Sequence, residues 1–443
     1  MKNRYNWALF TLLISIPVTT SVVHAQSLEQ AVAITLSTNP EIKSAFNEFR
    51  SQQQSIHAAK GGYYPSLDLE AGLGRESFDN DPSNTGGDDF TRRDATLSLR
   101  QLLWDGSASL LNIERTKAEA EAQRYQLIAD AQDKALRVIE VYLKTLQAEE
   151  VLALTESNLN VHMRIYQDIQ KRTSSGIGST ADLAQVKARV ARSQSNLRAA
   201  QNNLLDSQTE FLRVVGEPPQ NLVTPEVDQR FLPESLRKAL EVALRENPVV
   251  QVSALDIQAA QAQYEQRKGR FYPTFTFEMT QTWTEDADGF NGSTDELSAM
   301  LRMRYNLFNG GTDTAESRQA AYQISKSRDI RERALRMIEE GARLSWSALN
   351  LTMEQKEFLQ AHVDAAAETV IVYEKQFRIG KRTLLDLLNT ENELFEARKS
   401  YVDAYFSEIE AQYRILNATG RLLAALRVEM PQAWQQSVYD KQQ

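Results

Sequence analysis

The sequence predicts a mainly α fold with a β-barrel portion, built as two tandem copies of one unit: helix, strand, strand, very long helix, helix. Three observations carry this reading. One long internal repeat runs through the chain, long stretches rich in Ala, Gln, Glu, Arg and Leu are almost free of Gly and Pro, and four segments alternate apolar with polar residues. Ser27-Leu28-Glu29-Gln30-Ala31 and Asn39-Pro40 recur as Ser235-Leu236-Arg237-Lys238-Ala239 and Asn247-Pro248, a shift of 208. Lys60-Gly61-Gly62-Tyr63-Tyr64-Pro65 recurs as Lys268-Gly269-Arg270-Phe271-Tyr272-Pro273 at the same shift. From Leu103-Trp104-Asp105-Gly106, which faces Leu307-Phe308-Asn309-Gly310, the shift is 204, and it holds to Gly216 and Gly420. A single four-residue difference between residues 65 and 103 accounts for the change. Five units follow: 1–25, a first repeat over 26–216, a Pro-rich linker over 217–233, a second repeat over 234–425, and a C-terminal tail over 426–443.

At the N-terminus, Lys2 and Arg4 precede an apolar run from Trp7 to Val18, and Val23-His24-Ala25 closes the segment with small residues. That is the pattern of a cleaved secretory signal. The alternative, a retained anchor, needs roughly 20 apolar residues, and this run is shorter. Cleavage before Gln26 takes the formal charge from −9 to −11.

Residues 28–62 read as helix, 107–174 as one very long helix and 179–215 as another, and copy two repeats the order. Leu183, Val190, Leu197, Leu204 and Phe211 fall seven apart, as do Leu387, Leu394, Tyr401, Glu408 and Ile415, where only Glu408 breaks the apolar run. A seven-residue period makes a seam between side-by-side helices. Strands are expected at about 65–77 and 91–103, and at about 273–286 and 296–308. In each, apolar residues alternate with polar ones, as Leu67, Leu69, Ala71 and Leu73 do with Ser66, Asp68, Glu70 and Gly72. The strands are long enough for the roughly 9–11 residues of a tilted membrane-spanning strand. Tyr63, Tyr64 and Trp104 in one copy, and Phe271, Tyr272 and Phe308 in the other, cluster where each hairpin begins and ends, as an interfacial aromatic girdle would. An amphipathic hairpin packed on a soluble core has the same alternation, and the export signal and the girdle weigh against it.

Four strands cannot close a barrel that starts at about eight, so a spanning sheet requires several chains. A helix of 68 residues spans about 100 Å, and two helices of about half that length stacked end to end would match it. A hairpin at one end and a helical tube at the other describe a conduit from an outer membrane into the periplasm.

Composition excludes most chemistry. The chain has no Cys and only four His, at 24, 57, 162 and 362, with no helical pair at metal-ligand spacing. No carboxylate pair, Ser-His-Asp set or phosphate-cradling loop stands out, so no catalytic residue, cofactor or metal is expected and the chain is not read as an enzyme. Its 50 Lys+Arg against 59 Asp+Glu argue against a nucleic-acid partner. The Asp-rich hairpin tips at 79–89 and 286–295 lack the full calcium-loop spacing and read as solvated loops.

Phe377-Arg378-Ile379-Gly380-Lys381-Arg382-Thr383-Leu384-Leu385-Asp386-Leu387-Leu388-Asn389, followed by Glu393-Leu394-Phe395, together with the duplicated architecture, resembles the TolC-like outer-membrane efflux protein family over residues 27–425. The resemblance implies a homotrimer whose four strands per chain make a 12-stranded barrel in outer-membrane lipid, continued by a 12-helix periplasmic tube. It implies tip turns at Thr173–Asp182 and Phe377–Asp386, with Gly176, Gly178 and Gly380 at left-handed turn positions, and Thr383 and Leu384 beside them for adaptor contact. It further implies a periplasmic gate in which Arg382 bonds Asp182 and Asp386 narrows the mouth. Two positions depart from the pattern: Phe377 stands where a tyrosine usually helps the gate, and Asn389 where a second aspartate usually sits. An alternative reading makes Asp182 and Asp386 helix-capping or first-turn acids.

The implied partners are a periplasmic adaptor (membrane fusion protein), an inner-membrane transporter of ATP-binding cassette type, and an exported protein or small-molecule cargo. Leu301–Gly311 and Arg343-Leu344-Ser345-Trp346 look most like members serving type I secretion of large adhesins and agglutination proteins. The alternatives are a multidrug-efflux outer-membrane component and, from another class, a periplasmic coiled-coil interaction protein. N-terminal sequencing of the exported chain is expected to begin at Gln26, and retention of residues 1–25 would overturn the signal reading.

Overall fold

The computed structural model describes residues 25–78, 88–288 and 291–440. The signal segment, the hairpin-tip residues 79–87 and 289–290 and the last three residues lie outside the described residues. In chain order the first half runs α1 (Leu28–Thr38), α2 (Pro40–Gly61), β1 (Ser66–Phe78), β2 (Asp88–Trp104), α3 (Ala108–Ser174) and α4 (Thr180–Val215). The second runs α5 (Leu236–Glu246), α6 (Pro248–Lys268), β3 (Thr274–Glu285), β4 (Ser293–Arg304), α7 (Thr312–Arg378) and α8 (Leu384–Ala418), with the short α9 (Leu422–Ala425) and α10 (Gln432–Gln435) behind.

The stretch expected as one helix over 28–62 is two. Asn39 takes an extended conformation, its N–H closing α1 onto Thr35 while its side chain caps the Glu41 N–H of α2 at 2.9 Å. Pro40 dictates this, because its ring disfavours the helical conformation in the preceding residue yet suits the first helical position. Asn247-Pro248 does the same between α5 and α6. β4 also ends four residues early, at Arg304, so Phe308 lies outside the sheet.

All four strands are antiparallel, in the order β1-β2-β3-β4. The register puts Leu67 opposite Leu99, Leu69 opposite Leu97, Leu99 opposite Met279, and Phe277 opposite Leu301, which gathers the apolar residues on one face. That face is bare: Leu69 is 71% exposed and Leu73 76%. The other face is polar, with the Arg302 guanidinium donating to Glu278 at 2.8 Å and Arg100 3.9 Å from it. Among the described residues, β1 and β4 each pair on one side only.

Both long helices have 67 residues, about 100 Å at 1.5 Å each. Between them α6 and α8 stack end to end and both pack against α3 and α7, although α6, with 21 residues, is shorter than the half-length expected and only α8, with 35, meets it. The Asn247 side-chain amide donates to the Ala418 carbonyl at 3.1 Å, and Arg421 grips Glu246 through two bonds of 2.6 and 2.8 Å. Arg421, and behind it Arg245, hold the Glu246 carboxyl down at about 2. Glu408, the residue that interrupts the heptads, is buried and paired with Lys356 of α7.

The main core surrounds the middle of α3, from Leu127 to Leu146, with α1, the ends of α4 and α8, α9 and Trp434. Each fully buried Leu, Ile or Phe there contributes about 1.5–3 kcal/mol. The chain behind α9 is docked: Trp434 is buried, its carbonyl accepts from Arg124 at 3.1 Å, and the Val438 N–H donates to Glu121 at 3.0 Å. Arg124 and Glu121 are themselves a buried pair at 2.7 Å. The Pro-rich linker is tied down by Tyr142, whose hydroxyl lies 2.8 Å from the Gln26 carbonyl and 2.7 Å from that of Val223, and accepts the Val223 N–H at 2.9 Å.

Burial pushes the Tyr142 phenol up from 10.0 to about 12. Since the unfolded chain ionises it first, its contribution to stability is complete below pH 10 and is lost as pH rises toward about 12. Tyr142→Phe is expected to cost roughly 1–3 kcal/mol at neutral pH, by stripping the Val223 N–H of its acceptor. Thermal melts should show the wild-type advantage narrowing over that alkaline window; an unchanged neutral melting temperature would refute the role given to the hydroxyl.

Candidate functional site

At the end of the helices remote from the sheet, two turns join the long helices to the short ones. Lys171, Arg172 and Thr173 supply the carbonyls that accept from Ser175, Gly176, Ile177 and Gly178 after α3, and Gln376 and Phe377 those that accept from Lys381 and Gly380 after α7. Gly176 and Gly380 hold φ of 76° and 77°, the left-handed position that closes a helix with glycine. Gly178 is there for another reason: it has no positive φ, and a Cβ on it would stand 2.8 Å from the Thr173 nitrogen and hydroxyl. The apices are Ile177, 84% exposed, and Ile379, 67% exposed.

Each short helix is then capped. Ser179 accepts the Ala181 N–H at 3.1 Å. Thr383 and Asp386 form a reciprocal box, in which the Asp386 N–H donates to the Thr383 hydroxyl at 3.2 Å and Asp386 Oδ2 accepts from the Thr383 hydroxyl at 2.9 Å and N–H at 3.2 Å. The Thr383 hydroxyl first, then its N–H and the nearby Arg382 charge, hold the Asp386 carboxyl below its ordinary value. Leu384, expected at the adaptor-contact turn, is instead buried with Ile169, Val186 and Leu388, and Leu183 and Phe377 pack against that cluster. This apolar cluster holds the two tips side by side; the two apical isoleucines, with Leu385, are the large apolar side chains the tips leave exposed.

Within one chain Arg382 does not reach Asp182. It donates to Gln376 at 3.1 Å and lies over the Tyr373 ring at 4.3 Å, while Asp182, in the first turn of α4, has no partner among the described residues. Phe377 receives Arg172 over its ring at 5.4 Å. Asn389 accepts from Arg189 of α4 at 2.8 Å. Tyr373, Gln376 and Arg189 were not singled out from sequence: Tyr373 sits one turn before Phe377, a signal that was there to read, but nothing local ties Arg189 to a residue 200 positions on.

At the sheet end, Trp104 packs edge-on against Tyr272 at 5.9 Å and against Phe275 at 6.1 Å. Tyr63, Tyr64 and Phe271 are exposed around the same junction, and Phe308 is 84% exposed beyond β4. Among the described residues no group of three or more His, Asp or Glu is placed to hold a metal, and no helix is long and apolar enough to cross a membrane.

The sequence profile described as outer membrane efflux protein matches residues 31–217 and again 239–421. The chain belongs to the outer membrane efflux protein family. Within this family it is similar to the outer membrane efflux protein BepC of Brucella suis, 24% identical over 90% of this chain and 86% of that one. It is equally similar to the alkaline protease secretion protein AprF of Pseudomonas aeruginosa, 24% identical over 86% and 82%. The fold matches the solved structure of a membrane protein from Pseudomonas aeruginosa with a TM-score of 0.79 at 15% identity, over 90% of both chains. As a member of the outer membrane efflux family, the protein resides in the outer membrane of a Gram-negative cell and extends into the periplasm.

Proposed function

We propose that three copies of this chain form a passive exit duct, a 12-stranded barrel in outer-membrane lipid continued by a 12-helix periplasmic tube, with no catalytic step of its own. The observation that carries this is the sheet of one chain, apolar on one face and bare along two edges. An edge in lipid leaves backbone N–H and C=O groups unsatisfied at several kcal/mol each, so β4 of one copy must pair with β1 of the next. A second feature agrees. Ile330, Met337, Leu344, Leu351 and Phe358 fall seven apart on α7 and are exposed, Phe358 to 75%, as a helix seam awaiting a neighbour would be. The two units at 26–216 and 234–425 are read as copies of one ancestral unit joined by the linker.

The tip is the gate. Because Asp182 has no partner among the described residues of its own chain, Arg382 is assigned to an Asp182 across the subunit boundary, with Tyr373 supplying the aromatic ring and Phe377 packing. Asp386 narrows the mouth while serving as a capping acid. A periplasmic adaptor (membrane fusion protein) docks on the tip turns at Gly176, Gly178, Gly380 and Thr383, through Ile177 and Ile379, and an inner-membrane transporter drives export. The girdle Tyr63, Tyr64, Trp104, Phe271, Tyr272 and Phe308 marks the inner surface of the membrane.

For the cargo, the relative named for alkaline protease secretion favours type I secretion of a protein through an ATP-binding cassette transporter. The relative named as an efflux protein keeps drug export as the second reading.

Membrane fractions extracted with detergent are expected to yield a heat-labile trimer; a soluble monomer would refute the duct. The double variant Arg382→Ser, Asp182→Ala should raise the single-channel conductance of purified trimers several-fold, and unchanged conductance would sink the gate assignment.

A further inference from the structure

Near the mouth stands a cation that the gate does not use. Arg189 lies seven residues after Asp182 and so on the same face of α4. Its guanidinium donates to the Asn389 amide oxygen at 2.8 Å, and among the described residues it has no carboxylate partner. Asn389 is exposed, one turn beyond Asp386 on α8, about 4.5 Å along the axis. The guanidinium is therefore held about one helical turn along α8 from Asp386 by a neutral group that leaves its charge intact. Its field is felt nearby: His162, buried on α3, is pushed below its ordinary value by burial and then by Arg189.

The surroundings reinforce this. The first-copy tip, residues 164–192, carries six basic residues and two acidic ones in a chain whose total is −9. None of those six basic residues forms an ion pair among the described residues, whereas in the second-copy tip Arg378 is paired with Glu374 at 2.6 Å. Asp386, the acid that would draw cations, already has one oxygen engaged by Thr383.

We propose that Arg189 is a specificity-determining residue of the duct, offsetting the Asp386 carboxylate so that the mouth does not favour cations over anions. This rests on the duct reading above. In it, three Arg189 and three Asp386 form adjacent layers of opposite charge, and Asn389 serves as the tether that sets the height of the cationic layer. An aspartate at 389 would instead neutralise the guanidinium and leave Asp386 to dominate.

The test is the reversal potential of purified full-length protein in planar bilayers under asymmetric KCl. Wild type is expected to show little preference between K+ and Cl−. Arg189→Gln and Asn389→Asp should both raise the K+ to Cl− permeability ratio several-fold. A merely structural tie predicts otherwise, since one change breaks it and the other strengthens it, and their conductances would then move in opposite directions with the ratio unmoved. Because the chain has no Cys, Arg189→Cys offers a labelled variant in one fold. A cationic methanethiosulfonate reagent should return the ratio to wild type, and an anionic one should drive it further toward K+. If channels form and the ratio is the same in wild type, Arg189→Gln and both labelled states, the proposal is wrong while the duct stands. If no channels form from a trimer in the membrane, the duct reading itself falls and takes the proposal with it.

Discussion

Lipid offers no hydrogen bonds, and that fact governs this molecule more than any single contact in it. The four-stranded sheet has a bare apolar face, which excludes water as its medium, and two bare edges, which exclude lipid as the medium of a single chain. In the duct proposed above, strands pooled from several chains satisfy both conditions. The helical part obeys a softer version of the same constraint. It has a well-filled core at mid-length around α3, but along α7 a heptad stripe from Ile330 to Phe358 lies open. In the proposed duct, neighbouring copies would cover both the open strand edges and the open stripe of α7.

Much of this was legible in the sequence because it is written in periods. A two-residue alternation gave the strands and the face each residue takes, a seven-residue one the helix seams, and the 208/204 repeat the order of elements. Punctuation is legible too: Asn39-Pro40 marks the repeat and, through the bias that proline places on its neighbour, also the break between α1 and α2. What no period encodes is which side chains meet across two hundred residues. Glu408 looks like a flaw in a heptad until Lys356 is beside it. Asn389 looks like a missing charge until Arg189 is seen on it. Leu384 reads as a surface residue of a turn and proves to be core, because the two tips pack on each other.

The same gap separates the resemblance from the site. Motif matching assigned Arg382 to Asp182, and one chain places Arg382 over Tyr373 with its Nε on Gln376. Asp386 fits the capping reading from spacing and also stands where the gate reading needs it; capping occupies one carboxylate oxygen and leaves the other free. The two readings of that residue are therefore compatible, and the capping box gives the carboxylate the fixed position that a constriction requires.

Duplication alone would produce a protomer with two equivalent flanks. Here α3 and α7 have the same length and the same neighbours from their own copy, yet α3 is buried through its middle and α7 has few buried residues. The difference comes mainly from copy two: α6 and α8 pack on α3 as well as on α7, so α3 is flanked by helices of both copies and α7 by those of its own, and the C-terminal segment held by Glu121 and Arg124 adds to the cover of α3. In the trimer proposed above such chains join head to tail, and a head-to-tail contact with a closing rotation makes a ring instead of a pair. Two copies alike in their order of elements thus differ in their surroundings, which gives the duplicated unit the direction that the proposed tube of identical chains requires.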